Sequence, residues 1–149
     1  MLYRRVRSRA TPGGARWVRR FSALGEHGGI WIAGGSVAAL LDASRRRRWT
    51  RATVTVASSY AVSTTVKLVV RRPRPDVADL PPLMGTRTQL SFPSSHAVTS
   101  FTAARAFGVP GLWALALPMA FSRLYLGVHY PSDVTAGAAL GTFLGGFGR

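Results

Sequence analysis

At 149 residues the chain fits one domain around one core, and it shows no repeat at a period of about 20 to 50 residues, which excludes a solenoid. Its 20 lysines and arginines against 5 acidic residues give a formal net charge of +15, a balance that points to nucleic acid or to an anionic membrane surface. The arrangement of charge separates the two: arginines crowd into clusters at 4–9, 16–20, 45–51 and 71–74, with nearly uncharged apolar runs between them, and the absence of cysteine excludes disulfides and thiolate metal sites.

Residues 1–20 are basic, contain Pro12, Gly13 and Gly14 and hold no sustained apolar period, so they read as a basic tail or as a helix lying on the membrane surface. Residues 21–41 carry only Glu26 and His27 as ionisable groups and predict a first membrane helix, stopped by the four arginines at 45–48. No small-residue cleavage site precedes those arginines, so the run is expected to be retained rather than removed as a signal peptide. Residues 52–70 form a second run whose sole charge is Lys67, close to the ~20 residues a spanning helix requires. A loop rich in proline, glycine and polar groups follows over 71–92. Runs at 96–109 and 111–126, split by Pro110 and Gly111, predict a tight helical hairpin, and a last helix runs from about 132 to 147 with Pro131 in its opening turn.

The expected architecture is therefore all-α: an integral membrane bundle of about five transmembrane helices over residues 21–149, behind the basic segment 1–20. Gly137, Gly141 and Gly145 recur every four residues on one face of the last helix, a spacing that lets helix backbones approach closely in lipid. Several runs are short for a span, which leaves a soluble helical bundle as the competing architecture.

Three stretches carry chemistry. Lys67 falls in the last turn of the second helix, and Arg74 follows beyond Pro73; the two cations can reach different oxygens of one phosphate, arginine as a planar fork and lysine as a point charge. Taken alone, a basic cluster beside a membrane helix more often marks the cytoplasmic side or a lipid-headgroup contact. Pro93, Ser94, Ser95 and His96 open the next helix, whose first amides lack internal partners and form an anion site; the plain alternative is a serine N-cap beside a histidine. Ser122 and Arg123 precede His129, with Asp133 four residues further on, so the carboxylate can hold one ring nitrogen and leave the other as a nucleophile. A capping contact is the alternative for that pair, and an interface anchor for Arg123. All three stretches lie in or beside alternate interhelical connections, which in an up-and-down bundle open on the same face.

This spacing resembles the type 2 phosphatidic acid phosphatase superfamily of lipid phosphate phosphatases, in its small bacterial membrane form. The family pattern is Lys, six residues, ArgPro; then ProSerGlyHis; then SerArg, five residues, His, three residues, Asp. Here it is met by Lys67, Arg74 and Pro75, by residues 93–96, and by Ser122, Arg123, His129 and Asp133. The resemblance implies that Lys67, Arg74, Ser94, Ser95 and Arg123 bind phosphate, that His129 attacks phosphorus, that Asp133 orients it and that His96 protonates the leaving group. It implies no metal and no cofactor, since fixed cations and amides can stabilise the charge spread over the equatorial oxygens. Ser95 stands where the family has glycine. If that residue is left-handed, serine costs about 1 kcal/mol; if it is helical, the change is neutral. Six-helix members of the family also have one helix more than the five counted here.

The expected partners are a phosphorylated lipid and the bilayer, with no nucleic acid, and the expected location is the cell membrane, crossed several times. The arginine clusters fall on both faces, so charge selects no orientation. A polyprenyl diphosphate or a polyprenyl-linked phosphosugar of cell-envelope synthesis is the expected substrate class, with phosphatidic acid or phosphatidylglycerol phosphate next. A vanadate-dependent peroxidase shares the anion site but is soluble and much larger. A non-catalytic basic membrane protein that binds anionic lipid or nucleic acid is the alternative from another class; it would bind salt-sensitively and ignore His96 and His129.

Overall fold

The computed structural model describes residues 2–149. Seven α-helices follow one another: α1 (Leu2–Arg7), α2 (Pro12–Leu24), α3 (Gly29–Leu41), α4 (Arg46–Val70), α5 (Ser95–Phe107), α6 (Leu112–Tyr125) and α7 (Pro131–Gly145). Among the described residues there is no strand, only an isolated antiparallel bridge between Pro73 and Leu90 that ties the two ends of the α4–α5 loop together. The all-helical expectation holds.

Two boundaries differ from the sequence reading. The apolar run 21–41 is not one helix. It breaks in a tight turn over Glu26–Gly28, where His27 (φ 54°) and Gly28 (φ 73°) take left-handed backbone, and the upstream piece joins the basic segment as α2. That segment is folded: Thr11 caps α2 by accepting from the Gly14 amide at 3.2 Å, with Pro12 in the first turn. Its side chains reach the far loops, Tyr3 donating to the Gly127 carbonyl at 3.2 Å and Arg7 to that of Pro81. The second difference is at α4, which begins at Arg46 inside the arginine cluster rather than beyond it, because arginine is a good helix former and Asp42 closes the preceding turn by accepting from Arg45 N and Trp49 Nε1. Left-handed Arg71 ends α4, with Pro73 soon after.

Helix α5 is the axis of the bundle: ten of its 13 residues are buried, so it meets neighbours on every side. Its small residues let α4, α6 and α7 come close. On the α7 side, a Cβ at Gly141 would lie 2.2 Å from the Val98 carbonyl, and one at Gly137 would lie 2.8 Å from the Ser94 carbonyl. The four-residue glycine stripe is thus a backbone-to-backbone seam, clasped by Thr102 Oγ1 donating to the Gly141 carbonyl at 3.1 Å. A hydrophobic core of Trp31, Ala52, Val56, Ala103, Ala106 and Phe107 fills the end of the bundle away from the start of α5.

One helical stretch, Ala43–Val70, is long and apolar enough to cross a membrane by length and composition. Large apolar side chains also face outward along other helices, among them Leu40, Leu41, Leu117, Phe121 and Phe143. An apolar surface spread over several helices is what a bilayer covers.

Candidate active site

Three connections build the site. Lys67, one turn before the end of α4, points into the bundle and donates to the carbonyls of Ser91 (3.2 Å) and Pro93. The loop after α4 returns alongside itself, Arg74 N donating to Gln89 O and Ser91 N to Arg72 O, and this brings Arg74 back over the helix ends. Arg74 Nε donates to the Thr88 carbonyl (2.8 Å) and Nη1 to that of Val128 (2.6 Å), which joins the loop to the α6–α7 connection.

His129 sits in that connection with its two ring nitrogens in different surroundings. Nε2 is 3.2 Å from Arg74 Nη1, and because a guanidinium only donates, Nε2 must present its lone pair. The proton of the neutral ring therefore belongs to Nδ1, which lies 3.4 Å from Asp133 Oδ2, too poorly aligned for a full hydrogen bond. Burial pushes the His129 pKa well below its ordinary value; the Asp133 carboxylate opposes this, and the charges of Arg74, Arg123 and Lys67 reinforce it. Asp133 is fully buried in the first turn of α7. Its Oδ2 accepts from the Tyr130 amide (2.8 Å) and its Oδ1 from Arg72 Nη1 (2.9 Å).

Ser94 is the N-cap of α5 and Ser95 its first residue. The only non-glycine residues with positive φ among those described are His27 and Arg71, so Ser95 is not left-handed and carries its side chain without backbone strain. The Ser63 hydroxyl gives its proton to the Tyr60 carbonyl and so accepts from Ser95 Oγ at 3.0 Å. His96, one residue on, gives its Nε2–H to the Ser22 carbonyl at 3.0 Å, and Arg123 Nη1 donates to Ser22 Oγ at 2.6 Å.

Lys67, Arg74, Ser95, His96, Arg123 and His129 all line one cavity of about 190 Å³. Ser94 and Asp133 stand immediately behind it, linked by the Ser94 amide donating to the Asp133 carbonyl at 3.0 Å. Three buried polar atoms here have no partner: Ser94 Oγ, Arg123 Nε and His129 Nδ1. Unsatisfied buried groups are rare, and a cluster of them beside three cations suits a small polar anion. All eight residues singled out in the sequence therefore come together within one site.

Sequence reasoning missed Ser22 and Arg72. Ser22 makes its contacts to Arg123 across 101 positions of chain, and nothing in an apolar helical run marks it. Arg72 lay in view within the arginine-proline run; its guanidinium stacks 4.2 Å from the Tyr130 ring as it pairs with Asp133.

The family model of the PAP2 superfamily matches residues 48–148. Decaprenylphosphoryl-5-phosphoribose phosphatase of Mycolicibacterium smegmatis is 41% identical over 130 residues, covering 85% of this chain and 72% of that protein. Among solved structures, Aquifex aeolicus LpxE superposes with a TM-score of 0.79 at 22% identity, covering 99% of this chain and 92% of the other. The PAP2 type phosphatidylglycerolphosphate phosphatase of Bacillus subtilis gives a TM-score of 0.80 at 18% identity, over 98% and 80%. At those identities the two structures establish the fold. The chain belongs to the PAP2 superfamily, a class of metal-independent phosphatases, and is a membrane protein of that all-helical fold.

Proposed function

We propose that this phosphatase removes the phosphate from a phosphosugar carried on a polyprenyl phosphate, working at one face of the cell membrane. The observation that carries the reading is the single cavity in which Lys67, Arg74 and Arg123 surround His129, with Ser94 Oγ and Arg123 Nε buried and unpartnered. The relative from Mycolicibacterium smegmatis, named for a decaprenyl-linked phosphoribose, supports the substrate class. Five membrane-crossing segments are proposed: α2 with α3, then α4, α5, α6 and α7. The basic segment 1–20, which contains α1 and the first part of α2, leads into the first of these and precedes the catalytic unit 21–149.

In this mechanism the three cations, Ser94 and the first amides of α5 hold the phosphate oxygens and stabilise the charge that spreads over them in the transition state. His129 Nε2 attacks phosphorus as the bond to the sugar oxygen breaks. Asp133 stabilises the Nδ1–H of the ring, which becomes cationic on phosphorylation. His96, carrying a proton on each ring nitrogen when the phosphate dianion is bound, gives its Nε2–H from the Ser22 carbonyl to the departing alkoxide and becomes neutral imidazole. A water then attacks the phosphohistidine, His96 takes its proton, and inorganic phosphate leaves with His129 restored. Ser95, helical and unstrained, leaves this sequence intact.

The test is phosphate release from a polyprenylphosphoryl-5-phosphoribose by the detergent-solubilised protein in the presence of EDTA. Release that continues in EDTA and is lost in His129→Ala is expected. No release, or equal release by His129→Ala, overturns the proposal.

A further inference from the structure

The cavity has a second wall that the phosphate does not use. Beyond the cations it is lined by Glu26 and His27, from the break between α2 and α3, and by Tyr60 and Thr64 of α4. Glu26 is the one acidic residue on that lining, and the ion pairs among the described residues involve only Asp79 and Asp133. Glu26 makes no direct ion pair among the described residues, and its charge acts across the cavity on Arg123.

The turn is fixed in place. A Cβ at Gly25 would lie 2.6 Å from Met119 Sδ and 3.0 Å from Cδ2 of His96, so the turn backbone rests directly on the imidazole ring. The left-handed backbone of His27, unusual outside glycine, turns the chain there, and its ring meets Tyr60 edge-on at 5.3 Å between centroids. Strain of this kind persists where surrounding structure holds it. Here it holds Glu26 on the same cavity lining as His96, the histidine assigned to the leaving group.

We infer that the turn Glu26–Gly28 is a leaving-group subsite that accepts the hydroxyls of a neutral polyol and rejects a second phosphate. This rests on the proposed function, because it takes His96 as the group next to the departing oxygen. The leaving group then emerges against Glu26. A sugar alcohol offers hydroxyl donors that the carboxylate can accept, and a site built to receive them penalises an analogue lacking them. A polyprenyl diphosphate instead places an anionic phosphate in the same position, where like charge is repelled. Lys67, Arg74 and Arg123 would bind either terminal phosphate equally, so the choice between a phosphosugar and a diphosphate falls to the rest of the lining, where Glu26 opposes the charge of Arg87.

The experiment measures kcat/KM in detergent micelles for two probes of equal chain length, farnesylphosphoryl-5-phosphoribose and farnesyl diphosphate. Wild type should favour the phosphoribose probe. Glu26→Gln removes the charge and keeps the shape, so activity on the diphosphate should rise about tenfold while the phosphoribose probe changes by less than about threefold. Glu26→Asp keeps the charge and should keep the preference, which separates charge from a disturbed turn. If both probes move together in Glu26→Gln, or if Glu26→Asp loses the preference as fully as Glu26→Gln, the subsite is overturned. If wild type hydrolyses the phosphoribose probe yet the ratio is indifferent to Glu26→Gln, this inference alone fails; if wild type hydrolyses neither probe, the proposed function fails with it.

Discussion

Arginine does two different jobs at the two ends of this bundle. At the end away from the cavity, Arg48 donates to the Phe107 carbonyl, Arg51 to that of Phe147, Arg46 to that of Ala39 and Arg149 to that of Arg105. These side chains satisfy carbonyls at helix ends, where a cation also meets the negative pole of the helix, and they remain open to solvent. At the cavity end, Lys67 and Arg123 are buried, no carboxylate pairs with them, and Arg123 Nε is unpartnered. The density of positive charge therefore does not locate the site: the densest cluster in the chain, at 45–51, is the wrong one. What locates it is cation buried without an anion, a costly state that an oxyanion relieves.

That contrast can be broken by substitution. The largest effect belongs to the proposed nucleophile: His129→Ala should lower kcat by about 10⁴-fold or more, read as phosphate release under saturating substrate. Next come the buried cations. Arg74→Ala and Arg123→Ala should each cost about 10²- to 10³-fold in kcat/KM, whereas Arg47→Ala at the far end should stay within about twofold in the same assay. Comparable losses at both ends would erase the distinction. Ser94→Ala removes one buried donor to the phosphate and should cost about tenfold.

The smallest effect is a difference in acid sensitivity. His129 is held neutral in the fold, whereas in the unfolded chain it takes up a proton near pH 6.5. The unfolded state thus binds more protons below that pH, so the contribution is fully present above about 6.5 and is lost as pH falls. Thermal unfolding in detergent should show Tm falling from pH 7 to pH 5, with a shallower slope in His129→Gln. Arg47→Ala should leave the slope alone, because the exposed side chain lies at the other end of the bundle from His129.

Much of this was legible in the chain. The apolar runs locate α4, α5, α6 and α7 to within a few residues except at the start of α4, and the three spaced motifs name the eight residues that gather around the cavity. The break at Glu26–Gly28 was not legible, because Glu26 and His27 sit inside an otherwise apolar run whose period continues on both sides; the flanking Gly25 and Gly28 were the available sign. Ser22 escaped for a different reason. Its role is wholly tertiary, set by α2 folding back to receive both Arg123 and His96 from segments about a hundred residues and more than seventy residues away. Both it and Glu26 also fall outside residues 48–148, the stretch matched by the family model. Motif spacing finds the groups proposed to act at phosphorus, and folding adds the wall proposed to meet the rest of the substrate.

The glycine seam ties this chemistry to the bilayer. A methyl group at Gly137 would lie 2.8 Å from the carbonyl and 3.4 Å from the amide nitrogen of Ser94, so the last helix bears on the very peptide that opens the anion site. With no side-chain layer between the two backbones, nothing compressible absorbs a displacement. With α7 crossing the bilayer as proposed, lateral pressure or hydrophobic mismatch that tilts it shifts the proposed oxyanion cradle, so that lipid composition becomes a physical input to turnover as well as the source of substrate.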